Sequence, residues 1–426
     1  MRKALENSDA RLRRDVVWNL VPVALLAGVG LGSNFAIFTW WGSEALAVFN
    51  LVTTAFFVLA VVGAFGLQFA VLRAVAEAPD DRCRVASVVV GALVPNVVLA
   101  AIVTVAFVAL RGPFSALHHS DAVSEGMLVA APGLFCFSIN KVLFSVVNGL
   151  RRMRAFAIYT SLRYALIAVG VIAAKAVGAS IGHIAIVWTI TECTMFVVLL
   201  GELFATVAVR RANDWRAWMR RHLDFGARGV LATLAQEINS KLDIWMLGAS
   251  GMPKSLVGVY AIAGALNEGA TQLSVVLQNN LNPLIAKDLA AGEPSLVTAL
   301  ARRTRRWFVP SFAAACALGA IVFPFALPRL MGDASLHAAS IPFAILMAGL
   351  ALGSPYLPFA QLLLMANRPG WHTLLVVLVV SINFAGDLVL IPALGLTGAA
   401  IATALAVVSS ALLVRVLARK LVGAAI

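Results

Sequence analysis

Long apolar stretches alternate with short polar gaps along almost the whole chain. Residues 16–43, 45–72, 85–110 and 307–328 carry no charged side chain, and each exceeds the roughly 20 residues a helix needs to cross ~30 Å of hydrocarbon. A water-soluble core does not require runs of that length. The pattern predicts twelve spans, near 16–41, 45–72, 85–110, 125–149, 156–177, 182–208, 228–250, 257–285, 307–330, 337–366, 371–392 and 396–418. The expected fold class is therefore an all-α membrane protein.

Charge adds orientation. With the N-terminus inside, 26 of the 33 Lys and Arg residues fall in inside segments. Arg111, Lys175, Lys254 and Arg329 fall outside, and Lys141, Arg163 and Lys241 lie within spans. The positive-inside rule then sets both termini in the cytoplasm. A net charge of +13 would suggest nucleic acid in a soluble chain. Here the excess sits in loops that face anionic headgroups, so membrane lipids and not nucleic acid are the expected partners. The first fifteen residues carry both signs of charge and lead straight into a full-length span, so no removable signal peptide is expected.

The longest polar gap, RRANDWRAWMRRHLDFGA, falls between spans six and seven. Its arrangement of Trp215, Trp218 and arginines predicts an amphipathic helix at the interface, and it divides the chain into 1–209, a linker 210–227 and 228–426. A shift of about 211 positions lays the first half on the second, with Phe49 on Tyr260 and Arg82 near Glu293. Gly178 and Gly182 then match Gly395 and Gly398 after a few residues of slippage. Six spans per half is an even number, so two six-helix bundles related by a pseudo-twofold axis along the membrane normal are expected.

An ionisable side chain inside a span costs ~2.5–3.5 kcal/mol on insertion scales and needs a cavity, a partner or a function. Span seven is the outlier: Gln236, Asn239 and Asp243 share one face, beside an i,i+4 pair of Glu237 and Lys241. Span eight continues the stripe with Glu268, Thr271 or Gln272, Gln278 or Asn279, and Asn282. The other half is sparser, with Asn34, Gln68, Asn96, Asn140, Lys141, Asn148, Arg163 and Glu192, and span eleven adds Asn383 and Asp387. Bland readings compete with functional ones. Glu237 and Lys241 form a neutralised pair or a site, and Arg163 snorkels to headgroups or faces a cavity. Isolated Asn residues more often glue helices than bind ligand. Lys141 is too deep in span four to snorkel easily, which favours a cavity role.

Other chemistry is missing from the sequence. There is no GxxxxGK[ST] phosphate loop, and GVGLGS at Gly28 to Ser33 lies inside a span with no preceding strand, where close helix packing explains the glycines. No HExxH or GxSxG motif stands out. Cys83, Cys136, Cys193 and Cys316 have neither CxxC nor metal spacing, so they read as small apolar residues with no metal expected. His118 and His119 read as a surface pair.

The stretches LDIWMLG, VGVYAIAGALNE with Tyr260, NPLIAKDLAAGE and LIPALGLTGAAIAT carry a resemblance over essentially the whole chain. It resembles a polysaccharide flippase of the O-antigen type, in the multidrug/oligosaccharidyl-lipid/polysaccharide exporter superfamily. The resemblance implies a bacterial cytoplasmic-membrane transporter and not an enzyme, with alternating access to a central cavity. It also implies a cargo of oligosaccharide on an isoprenoid diphosphate, and glycan polymerase or ligase machinery as further partners. Many members have fourteen spans, and twelve fits the O-antigen type better.

A diphosphate needs cations in a low-dielectric cavity. Lys141, Arg163 and Lys241 are the only three within the spans. Asn34, Asn140, Glu192, Gln236, Glu237, Asn239, Asp243, Glu268, Gln272, Asn279 and Asp387 are the candidates for glycan contact or for coupling to H+ or Na+; no other cofactor is expected. The acids also support a rival reading, a cation-coupled extruder of cationic compounds held by Glu237, Asp243 and Glu268. A membrane-embedded glycan polymerase or ligase would normally show a sizeable outside loop, and the longest runs only from Arg111 to about Glu125.

Overall fold

The computed structural model describes residues 25, 28–30, 32–118, 120–250, 252, 254–331 and 334–426. Part of span one, including all of 16–24, and the His119 position lie outside them, as do the side chains of His118 and Lys241. The chain divides into two compact units, Met1–Val230 and Leu231–Ile426. Among the described residues there is no strand, and nine helices are long and apolar enough to cross a membrane.

In the first unit, residues 32–41 are helical. There follow α1 (Ser43–Ala64), α2 (Leu67–Glu77), α3 (Arg82–Ala109), the short α4 (Arg111–His118), α5 (Asp121–Gly149), α6 (Met153–Ala176) and α7 (Ile186–Thr206). Span two is broken, contrary to the single helix expected over 45–72. Phe65 and Gly66 both take positive φ, 49° and 71°, and the chain restarts as α2. Apolar content runs on across this joint, so hydropathy has no way to register it. Asp81 caps α3 by accepting from the Arg84 amide at 3.0 Å.

Helix α5 is the centre of this unit, with 72 % of its apolar window buried, and it packs on α1, α2, α3 and α7. Its approach to α7 depends on Gly133, where a Cβ would stand 2.8 Å from the Thr189 backbone. Thr189 Oγ1 accepts from the Gly133 amide at 3.1 Å and donates to the Val129 carbonyl at 2.6 Å, which locks the seam. Phe56, Phe57, Phe137 and Trp188 form an aromatic core beside it.

The predicted linker helix is not a separate element. Trp215 begins α8 (Trp215–Ala249), which runs unbroken into span seven because no proline intervenes. Its first turns lie on α3, where a side chain at Gly91 would meet the Trp215 carbonyl and Trp218 Cβ, each at 2.7 Å. Arg84 and Arg221 lie over the Trp218 ring at 5.4 and 5.0 Å. Beneath them His222 is buried, with its Nε2 3.1 Å from the Val88 carbonyl. Burial pushes the His222 imidazole down to about 4, with Arg73 and Arg221 adding to the effect against the Val88 contact.

The second unit continues from α8 into α9 (Lys254–Ala290), α10 (Pro294–Met331), α11 (Ser340–Gly353), the single turn α12 (Leu362–Met365), α13 (Pro369–Leu394) and α14 (Leu396–Leu417). Span ten, expected over 337–366, is likewise interrupted between α11 and α12, where Pro355 and Pro358 remove two backbone donors. Helices α13 and α14 form a tight hairpin about Gly395, at φ 58°. A Cβ at Gly398 would fall 2.1 Å from the Leu390 carbonyl oxygen, so the LGLTGAAIAT stretch is a turn only glycine permits.

Candidate functional site

Two polar clusters stand inside the spans, one in each unit. In the first, Glu192 on α7 is fully buried and its Oε2 accepts from Arg163 Nη2 on α6 at 2.9 Å. Asn140 Nδ2 on α5 donates to the same oxygen and to the Glu192 backbone carbonyl, both at 2.9 Å. Arg163 lies over Phe137 at 5.1 Å and Phe144 at 4.7 Å, and Lys141 Nζ is 5.1 Å from the same Phe137 ring. Helix spacing explains the grouping: Phe137 and Lys141 are one turn apart, and Asn140 faces α7 across the Gly133 seam. Glu192 Oε1, Asn140 Oδ1 and Arg163 Nε are buried without a hydrogen-bond partner.

Cys136 and Cys193 stand beside this cluster with their Sγ atoms 3.5 Å apart, both as free thiols. Their separation of 57 in sequence gives no spacing motif. The α5–α7 seam brings them together.

The second cluster is acidic. Asp243 Oδ1 on α8 accepts from Asn383 Nδ2 on α13 at 3.0 Å, and its Oδ2 accepts from Tyr260 OH on α9 at 2.8 Å and from Thr403 Oγ1 on α14. Asn383 Nδ2 also reaches Asn239 Oδ1 at 3.3 Å. One turn along α13, Asp387 is fully buried and interacts electrostatically with Asp243, but neither of its carboxylate oxygens has a hydrogen-bond partner. A cavity of about 310 Å³ opens beside Asp243 and is also lined by Glu268, Asn267, Thr271 and Asn383.

Of the residues named from the sequence, the first cluster gathers Asn140, Lys141, Arg163 and Glu192, and the second Asn239, Asp243, Glu268 and Asp387. Asn34 and Gln236 are exposed, and Glu237, Gln272 and Asn279 are half-buried and do not line the cavity. Lys241 sits on α8, its side chain outside the described residues. Thr403 was not singled out from the sequence. Its only signal is that it follows the Gly398 turn on the small-residue face of α14. Among the described residues no three His, Cys, Asp or Glu side chains converge as a metal site.

A family model described as "Polysaccharide biosynthesis protein" matches residues 12–287. No curated protein matches the chain. Among solved structures, a mutant of the Vibrio cholerae MATE transporter VcmN is similar with a TM-score of 0.82 at 12 % identity, covering 96 % of this chain and 97 % of that one. The bent form of VcmN gives 0.79 at 14 %, covering 96 % of each. An outward-facing multidrug resistance MATE family transporter of the MOP superfamily gives 0.76 at 15 %, covering 97 % and 96 %.

Proposed function

Because this chain belongs to the polysaccharide biosynthesis protein family and is a multi-pass membrane transporter of the MOP superfamily, we propose that its cargo is an oligosaccharide on an isoprenoid diphosphate. It moves that cargo from the inner to the outer leaflet of the bacterial cytoplasmic membrane, with both termini in the cytoplasm. The observation that carries the reading is the pairing of Lys141 and Arg163 about one Phe137 ring. Two cations in a low-dielectric interior attract a diphosphate far more than they would in water. Lys241 is a third candidate cation, on α8. Asn239, Glu268 and Thr271 supply the donors and acceptors that suit sugar hydroxyls in the second unit's cavity.

The acidic cluster supports coupling to a monovalent cation, H+ or Na+. Asp387 offers two unpartnered carboxylate oxygens beside Asp243, Asn383 and Thr403, a set of hard oxygen donors with one or two negative charges. The glycan polymerase or ligase machinery is the class of partner that would consume the exported product.

A second reading is favoured by the acids and by the likeness to a multidrug resistance transporter: extrusion of cationic compounds held by Asp243 and Glu268. The test is leaflet transfer of a fluorescent isoprenoid-diphosphate oligosaccharide in liposomes holding the purified protein, with Lys141→Ala beside the wild type. Protein-dependent transfer that falls at least tenfold in the variant supports the flippase. No transfer, with gradient-driven uptake of a cationic dye, supports the extruder.

A further inference from the structure

A polar cavity of about 360 Å³ lies at the head of α3, within the first unit, and shares no residue with either cluster described above. One wall is the start of α3, with Cys83, Arg84 and Ser87, and the other is the stretch from Asn213 to Arg221 that leads into α8. Ser87 Oγ pins the walls together: it donates to the Cys83 carbonyl at 3.0 Å and accepts from the Asp214 amide at 3.4 Å. The apolar window of α3 begins here, and the half-buried Trp218 lines the cavity, as tryptophan does where hydrocarbon gives way to headgroups.

The charges lining this cavity are only partly matched. Arg84 is held by Glu77, which also pairs with Arg73, and keeps 35 % of its side chain exposed. Asp81 caps α3. Among the described residues Arg221 rests on the Trp218 ring at 5.0 Å with no carboxylate beside it, and the Asp214 carboxylate accepts no hydrogen bond. Arg221 and Asp214 thus line one cavity with opposite charge and do not pair. The Trp218 amide bonds the Asp214 carbonyl, so Asp214 opens the first turn of α8 and Arg221 follows two turns on, ~10.5 Å along the axis. A phosphate and an ammonium joined through two carbons, with a charge-assisted contact of ~2.8 Å at each end, span such a gap. A purely anionic group would leave Asp214 unmatched, and a purely cationic one would meet Arg84 and Arg221.

We propose that this cavity binds the headgroup of phosphatidylethanolamine from the adjoining leaflet. The phosphate oxygens accept from the Arg221 and Arg84 guanidiniums, and the ammonium donates to the Asp214 carboxylate and the Asn213 side-chain carbonyl. The acyl chains remain in the bilayer. Seated between α3 and the start of α8, the lipid ties down the first turns of the long helix that runs into span seven. Phosphatidylcholine carries the same two charges without an N–H donor on its nitrogen, and phosphatidylglycerol carries no cation, so neither satisfies Asp214. The site is independent of the cargo, since none of its residues belongs to the clusters assigned to transport.

The experiment reads Cys83, which lines the same cavity and is the exposed thiol among the four cysteines. The full chain is placed in phosphatidylglycerol nanodiscs with a rising fraction of phosphatidylethanolamine, and alkylation of Cys83 by N-ethylmaleimide is followed by peptide mass. Labelling should slow by about tenfold at saturation, the mass-action result for a cavity roughly nine-tenths occupied. Phosphatidylcholine with the same chains should leave it fast. Arg221→Gln and Asp214→Asn, both at exposed positions, should each raise the phosphatidylethanolamine needed for half-protection by about tenfold, the loss of one charge-assisted contact. Equal protection by phosphatidylcholine, protection that persists unchanged in both variants, or labelling indifferent to every lipid overturns the proposal, and the lipid comparison on the wild type does not need a variant to fold. Protection by water-soluble phosphoethanolamine in discs that lack the lipid assigns the cavity to a soluble zwitterion and overturns the lipid as its occupant.

Discussion

Removing the Arg163 guanidinium should destabilise the first unit far more than removing the whole ion pair. Glu192 has no exposed surface, and its charge is met by Arg163 at 2.9 Å and by the Asn140 amide at 2.9 Å. Arg163→Ala leaves an ionised carboxylate with the amide alone, and breaking a buried pair this way costs ~3–5 kcal/mol. The truncation also strips the side chain that covers Phe137 and Phe144. For a unit of this size that amounts to a fall of roughly 6–20 °C in melting temperature, at ~2–4 °C per kcal/mol. Replacing both partners with apolar residues of similar volume, Arg163→Met with Glu192→Leu, removes the unpaired charge and should recover most of the loss. Thermal unfolding of purified single and double variants in detergent reads both numbers. A single variant within 1 °C of wild type, or a double variant as unstable as Arg163→Ala, would refute the account of Glu192 as a buried charge held by Arg163.

Two further outcomes test the packing. The His222 imidazole stands at about 4 in the fold against an ordinary value of 6.5, so the unfolded chain binds the extra proton between those values. Stability is fully present above pH 6.5 and is lost as pH falls toward 4, by ~3 kcal/mol in all. His222→Gln should flatten that part of a melting-temperature profile, and an unchanged slope would count against a neutral buried His222. Cys136 and Cys193, 3.5 Å apart between sulfurs, should form a disulfide under copper phenanthroline with a mass loss of two hydrogens, since closure to ~2.05 Å needs only a small movement. Failure to cross-link, with both thiols reactive in denaturant, would refute the α5–α7 register.

Much of the architecture was legible as hydropathy because lipid demands long apolar helices whose backbones are satisfied internally. What escaped was whatever leaves hydropathy unchanged. The joint at Phe65 and Gly66 lies within an unbroken apolar run, and the merger of the linker with span seven has no cap or proline to mark or prevent it. The polar sites divide in the same way. Asn140 and Lys141 are adjacent in sequence and Asp243 and Asn239 share a helix face, so their proximity was readable. The joining of Glu192 to Arg163, Cys136 to Cys193, and Thr403 to Asp243 depends on helix-to-helix register. That register is set by contacts such as Gly133 on Thr189, which carry no periodic signal.

The tight hairpin of α13 and α14 bears on how the chain enters the bilayer during synthesis. Alone, α13 would present Asp387 to hydrocarbon at a cost of ~2.5–3.5 kcal/mol. Gly386, its neighbour in sequence, lies so close to α14 that a Cβ there would stand 2.8 Å from the Ala402 Cβ, and the turn at Gly395 leaves no slack between the helices. The two helices can therefore leave the translocon as a preformed pair. Asp387 then enters the membrane on a helix already packed against α14, before Asp243 on α8 completes its surroundings.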